Sequence, residues 1–273
     1  MADASFEKSQ VYAKLIDERY GLYSLTTDLE KTPVQFDGTE TIKYFDADPA
    51  DMIDYDRDDG FTNQDVGSRW KTWTMTQDKQ VAFDIDAMTN NATMDLAFGT
   101  IIDNTYRLKV TPGIDKYRFT KLVEGAGTTN SDGAITTGEE AVAAIDRAEA
   151  NALDANILLE GAILYVSSSF YTTLKSKAFN RFGSYSAMDV NRTITTFDGM
   201  KIVPVPADRL GANVNFVIVD PRAVFAVTKH ETLRVFEPSV NQKKDAYQFQ
   251  YRVFHDMFIF DNKKKGVIVS KNA

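Results

Sequence analysis

The stretch from Thr32 to Asp84 has strand-like ends and a middle that offers almost nothing from which to build a core. That middle reads DADPADMIDYDRDDGFTNQD, crowding Asp46, Asp48, Asp51, Asp54, Asp56, Asp58, Asp59 and Asp65 around a few apolar side chains. TIKYF precedes it, and RWKTWTMT and VAFDID follow. A long excursion in a compact domain has three usual causes: disorder, a binding loop, or packing against another chain. The flanking strands argue against simple disorder.

Elsewhere the composition is that of an ordinary globular protein. A chain of 273 residues, 43% hydrophobic and 26% charged, is long enough for one large domain or two modest ones. The net charge of -8 gives no electrostatic footprint for direct duplex binding, which needs clustered Lys and Arg against phosphate. No run approaches the apolar length of a membrane helix, and MADASFEKSQ lacks the apolar region of a signal peptide, so a soluble, cytoplasmic chain is expected. The absence of cysteine removes disulfides, zinc-thiolate sites and thiol nucleophiles together.

Val11, Tyr12, Leu15 and Ile16 fall at helical spacing, which predicts an amphipathic helix over Ala4 to Tyr20. Thr41 to Asp46 and Trp70 to Asp86 alternate as strands do and together predict a long two-stranded projection. From Asn91 to Val110 the apolar positions keep a 3.6 period, so a long helix follows, ended or kinked at Pro112 and continued through Leu122 as one bent rod. GAGTTNSDGAITTG, residues 125–138, reads as a flexible linker, and Thr137 with Glu140 has the spacing of a capping box for a helix reaching about Asn156. Strands are expected at 163–166, 201–205 and 216–219, a helix from Ser168, and a short helix started by Asp220-Pro221, an α/β alternation. The tail alternates from Tyr247 and predicts a hairpin whose turn is DNKKKG, so the fold class is α+β.

No chemistry emerges from the motifs. Asp54, Asp56, Asp58 and Asp65 take positions one, three, five and twelve of a calcium loop, but Asp59 stands where glycine is required and no helices flank it. His230-Glu231 begins a metalloprotease motif whose second histidine is replaced by Arg234, and His255 is the remaining histidine. There is no nucleophile elbow, phosphate loop or dinucleotide turn, so neither catalytic residues nor a cofactor is expected. Lys263, Lys264 and Lys265 read as a solubilising turn.

Several segments, taken in order, resemble the major capsid proteins of tailed bacteriophages, whose fold is named after a Hong Kong phage and is shared with encapsulins. MIDYDRDDGF followed by VAFDIDAM resembles the family's extended loop and its return, and TPGIDKYRFTKL resembles the end of its spine helix. ILYVSSSFYTTL, FDGMKIVPVPADRL, FVIVDPRAVFAVTKHETLRVFEPS and YRVFHDMFIFDNKKKGVIV follow the family's order of strands and helices. The likeness spans roughly Thr32 to Lys271. It departs at Pro112-Gly113, where relatives often carry Pro-Glu, and at Thr89-Asn90-Asn91.

The resemblance implies an N-terminal arm over 1–31, an extended loop over 32–84 and a spine helix with a peripheral-domain helix over 85–160. It further implies an axial domain over 161–235 and C-terminal strands shared by both domains over 236–273. It implies a non-enzymatic subunit that joins copies of itself in pentamers and hexamers of an icosahedral shell around double-stranded DNA, without sequence-specific binding. The location would be the virion, after assembly in the cytoplasm of a host bacterium. With no long domain before the loop, a separate scaffolding protein is expected, together with a portal. The loop would contact a neighbouring subunit through Asp46, Asp48, Asp51, Asp54, Tyr55, Asp56, Arg57, Asp58, Asp59 and Phe61. An encapsulin-like compartment shell and a calcium-dependent binding or hydrolytic module are the alternatives. Lys71 and Lys79 match no crosslinking motif, so that chemistry is not carried over.

Overall fold

The computed structural model describes residues 24–31, 36–37, 40–47, 50, 52–55, 57–58, 60–61, 63, 67–88, 96–157, 159–181, 194–241 and 243–272. The amphipathic helix expected over Ala4 to Tyr20 lies outside these residues.

A long helical spine runs through the molecule as α1 (Leu96–Thr105), a π-helical turn (Tyr106–Val110) and α2 (Thr111–Glu124). Pro112 falls in the first turn of α2 and does not end the rod. Proline removes one backbone donor and crowds the preceding turn, and the wider π turn just before it takes up that misfit.

The strand expected from Trp70 to Asp86 divides in two. β1 (Phe36–Asp37), β2 (Thr41–Ala47) and β3 (Ser68–Thr74) form one antiparallel sheet. β4 (Gln77–Asp86) turns away to join a different sheet, so the projection is built from β2 and β3 alone. Its new partner, β11 (Ala246–Ile259), sets Tyr251 opposite Val81 and Phe249 opposite Phe83. β11 also pairs along its length with β10 (Val224–Phe236). Ile85, Phe249, Tyr251 and Val253 on this sheet bury against Ile102, Tyr106, Val110 and Ile114 of the spine. The 2.0 period of a strand and the 3.6 period of a helix each present one apolar face, and here the two faces close on each other.

The body is a six-stranded sheet ordered β5, β12, β9, β6, β8, β7. The strands are β5 (Thr128–Ser131), β6 (Ile163–Ser167), β7 (Thr196–Phe197), β8 (Met200–Val205), β9 (Val214–Val219) and β12 (Val267–Lys271). α3 (Gly138–Asp154) and α4 (Ser168–Arg181) bury one face through Ala141, Ile145, Ala148, Phe170 and Leu174. Phe119 and Leu122 of the spine, with Leu29, bury the other. Covered on both sides, β6 is apolar without alternation, as a central strand must be. A short α5 (Ala207–Leu210) follows β8. The capping box forms as expected: Thr137 accepts from the Glu140 backbone N–H, and the Glu140 carboxylate accepts from the Thr137 backbone N–H at 3.0 Å.

Three further expectations change. Residues 128–131 form β5, an edge strand parallel to β12, instead of a flexible linker. A Cβ on Gly127 would lie 2.4 Å from the Lys264 carbonyl, so this glycine serves close backbone approach. Asp220-Pro221 makes a turn, with the Asp220 carboxylate accepting from the Arg222 backbone N–H at 2.9 Å, and β10 follows where a short helix was expected. β11 and β12 do not pair as a hairpin; the 3-10 turn at Asp261–Gly266 carries the chain from one sheet to the other.

Candidate functional site

The β2–β3 hairpin is held at its base by an aromatic stack. Trp73 lies flat on Phe258, with centroids 4.9 Å apart and planes 3° apart, and Tyr44 also stacks on Trp73 at 4.0 Å. Such pairs add about 0.5–1.5 kcal/mol each beyond burial. Ile42 and Met75 are buried beneath them against Val227. Further along, Asp46 accepts from Lys71 at 2.7 Å, and Lys71 reaches back to Asp261 at 3.3 Å. Asp46 is 5% exposed, so its carboxylate belongs to the stem and ties it to its own subunit. The turn into β4 is fixed as firmly: Thr76 donates its backbone N–H and its hydroxyl to Asp256, at 2.7 and 3.1 Å, while Tyr117 of the spine donates to the other oxygen at 2.7 Å. Burial pushes the Tyr117 hydroxyl up to about 12, so it remains a donor at any physiological pH.

On the outward face of the stem, and beyond it, apolar groups face water. Phe45 and Trp70 form a cross-strand pair with centroids 5.3 Å apart on the outward face, 54% and 66% exposed. Tyr55 and Phe61 meet at 4.9 Å, and Met52 is fully exposed. Asp54, Arg57 and Asp58 are exposed beside them. Asp48, Asp51, Asp56 and Asp59 lie outside the described residues. Isolated exposed apolar side chains are ordinary, whereas Tyr55 and Phe61 lie in contact with each other and exposed.

A second network, which sequence reasoning missed, locks residues 24–31 onto the spine. Asp115, fully buried, accepts from the Leu25 backbone N–H at 3.1 Å, from Thr26 Oγ1 at 2.8 Å and from Arg209 of α5 at 3.2 Å. Arg118, also fully buried, donates to Thr26 Oγ1 at 3.0 Å and to Glu30. A charged pair one helical turn apart on a spine was the available signal. A third contact, Tyr106 and Tyr251 each donating to Glu231 at 2.7 Å, pins the π turn to the sheet, and burial raises the Tyr106 hydroxyl well above its ordinary value.

Among the described residues neither histidine belongs to a group that could hold a metal. His230 bonds Thr232 at 2.6 Å on the exposed side of β10, while His255 is buried under Tyr117 with ring centroids 5.6 Å apart. Burial, with Arg118 nearby, lowers the His255 imidazole to about 4, so it is neutral at pH 7. Asp146, Glu149 and Asp198 bring carboxylate oxygens within 4.8 Å of one another and could hold a cation, and burial with those two neighbours raises Glu149 to about 7. Among the described residues no helix is long and apolar enough to cross a membrane.

A hairpin arm, a spine helix with a π turn, a three-stranded sheet on the spine and a six-stranded α/β body together make the α+β fold of phage capsid structures. The capsid structure of the cyanophage P-SCSP1u matches at a TM-score of 0.66 and 11% identity, over 92% of this chain and 88% of that one. A structure from Mycobacterium phage Che8 matches at 0.65 and 18% identity, over 85% and 84%. A virus-like particle from Pyrococcus furiosus matches at 0.60 and 13% identity, over 94% and 96%. No family model and no curated protein matches the sequence.

Proposed function

We propose that this chain is the structural subunit of an icosahedral phage head, that copies join in pentamers and hexamers, and that it carries no catalytic activity. The observation that carries this reading is the hairpin, rigid at its base through Trp73 and Asp256 and apolar at its exposed end through Met52, Tyr55 and Phe61. An arm anchored at its base that leaves the apolar groups of its far end uncovered serves a neighbour. Repeating one such contact by symmetry multiplies a modest interface into a closed shell.

On this reading residues 24–31 belong to an N-terminal arm, the β2–β3 hairpin is the extended loop over an adjacent copy, and the spine with the β10, β11 and β4 sheet forms the peripheral part. The six-stranded body surrounds the capsomer axis. The acidic balance suits a container in weak, sequence-independent contact with enclosed double-stranded DNA. A separate scaffolding protein and a portal complete the head, which assembles in the host bacterial cytoplasm and resides in the virion.

Electron microscopy of the expressed chain, alone and with a scaffold supplied, is the test. Closed shells are expected; monomers under every assembly condition would overturn the reading. Replacing residues 48–67 by a short Gly-Ser turn should leave a cooperatively melting subunit that forms no closed shell. The likeness to the Pyrococcus furiosus particle supports a second reading, a cargo compartment. Shells that purify with protein cargo and no DNA would decide for it.

A further inference from the structure

The core between spine and sheet is open at one end. Val81, Tyr251 and Val253 from the sheet, with Val110 and Ile114 from the spine, line a cleft of about 240 Å³. Gly113 contributes to its wall, and a Cβ there would meet nothing within 4 Å. His255 also lines it, 2% exposed, with an Nδ1 that has no partner among the described residues. Lys79 and Lys109, both exposed, also line it. An apolar hollow with two cations at its edge fits an apolar side chain followed by a carboxylate.

The hairpin end has that chemistry in the order Met52, Ile53, Asp54. Met52 is 101% exposed and Ile53 49%, so neither side chain is buried by its own subunit. Gln77, which lines the cleft, directly follows the bonded turn at Thr76, so socket and arm share one base. β2 is seven residues long, which sets the far end of the stem roughly 24 Å from that base. A paired stem stacked on Phe258 does not fold back over this distance, so the occupant comes from another copy. A plug at the tip of an arm and a socket at its base make a heterologous contact, the kind that builds rings where the rotation between copies closes.

We propose that the Met52–Tyr55 segment of one copy seats in the spine–sheet cleft of the next, its apolar side chains in the hollow and Asp54 against Lys79 and Lys109. This rests on the shell reading and adds the receptor surface. The chain has no cysteine, so Met52→Cys combined with Gly113→Cys is a clean probe. Oxidation of assembled particles should give a ladder of covalently linked chains that neither single variant gives. Ile53→Cys replaces Met52→Cys if the latter blocks assembly. Particles that form and yield no ladder overturn the receptor and leave the shell reading standing; an unmodified chain that never assembles removes both. Gly113→Cys alone should react with a maleimide in the free subunit and be protected in particles. Protection already in the free subunit would mean that another segment of the same chain fills the cleft, and would overturn the proposal. Lys109→Glu should lower particle yield by roughly 10-fold or more, and adding Asp54→Lys should restore it, as reversal of a close charge pair does. A doubly reversed variant no better than Lys109→Glu alone would also count against the pairing.

Discussion

Thr76 donates its backbone N–H to the Asp256 carboxylate at 2.7 Å, and this one bond sits where the chain leaves the hairpin and enters the spine-facing sheet. Tyr117 donates to the same carboxylate from the spine, so arm, sheet and spine share a single acceptor. Asp256 is 2% exposed, and truncating it strands the Tyr117 hydroxyl and the Thr76 amide. Asp256→Ala should cost about 3 kcal/mol or more in denaturant unfolding, because hydrogen bonds to a buried charge are lost and their donors left unmet. A loss below about 1 kcal/mol would show that the junction is held by the aromatic stack instead.

Arg118 and Asp115 are buried without remaining exposure. Arg118→Ala leaves Glu30 and Thr26 facing an empty site and should destabilise by about 3–5 kcal/mol, the range for breaking a buried ion pair from one side. Lys201→Ala, which breaks the exposed pair with Asp28, should leave the melting temperature nearly unchanged. Comparing the two by calorimetry separates buried from surface charge.

His255 makes stability fall in acid. Its folded value, lowered by burial and by Arg118 and Lys79 against the opposing pull of Asp256, is about 4, below the ordinary 6.5. The unfolded chain therefore takes up this proton first, so the contribution is whole above pH 6.5 and is lost as pH falls through 4, about 3 kcal/mol in all. His255→Gln should flatten the unfolding free energy across that window. An unchanged slope would mean that the imidazole is solvated.

Glu149 acts with the opposite sign. Burial, Asp198 and Asp146 raise it to about 7 from an ordinary 4.5, so its contribution is present below pH 4.5 and lost as pH rises through 7. Glu149→Gln should melt higher than the parent at pH 8 and match it at pH 4.

Gly127→Ala forces a methyl group against the Lys264 carbonyl. Overpacking against backbone should cost about 1–3 kcal/mol, and amide exchange should rise in residues 128–131, which pair with β12. Gly113→Ala, with open space around its Cβ, serves as the control.

The legible parts of this protein were those with one face and one period. The Thr137–Glu140 capping box, the apolar stripe of α3 through Ile145 and Ala148, and the alternation of Tyr247, Phe249 and Tyr251 all depend on neighbours a few residues away, and each stands in the structure. The two strands flanking the acidic excursion were also legible, and β2 and β3 pair as a hairpin stem. What their pattern did not reveal is that Asp46 is internal: Lys71 reaches it only because β2 and β3 pair in the register that sets Tyr44 opposite Lys71.

Strand pairing was the part that local pattern could not supply. Trp70 to Asp86 alternates throughout, and nothing within it says that the strand must break at Met75 and change sheets, because the deciding partner, β11, lies some 170 residues away in the register that sets His255 opposite Gln77. Gly125 to Gly138 has the composition of a linker, yet β12 recruits its middle as an edge strand. By itself, then, the sequence determined most of the elements and their order, since periodicity, capping and solvation are local. Tertiary structure alone decided which strands share a sheet and which carboxylates are buried, since those depend on contacts between residues far apart in the chain.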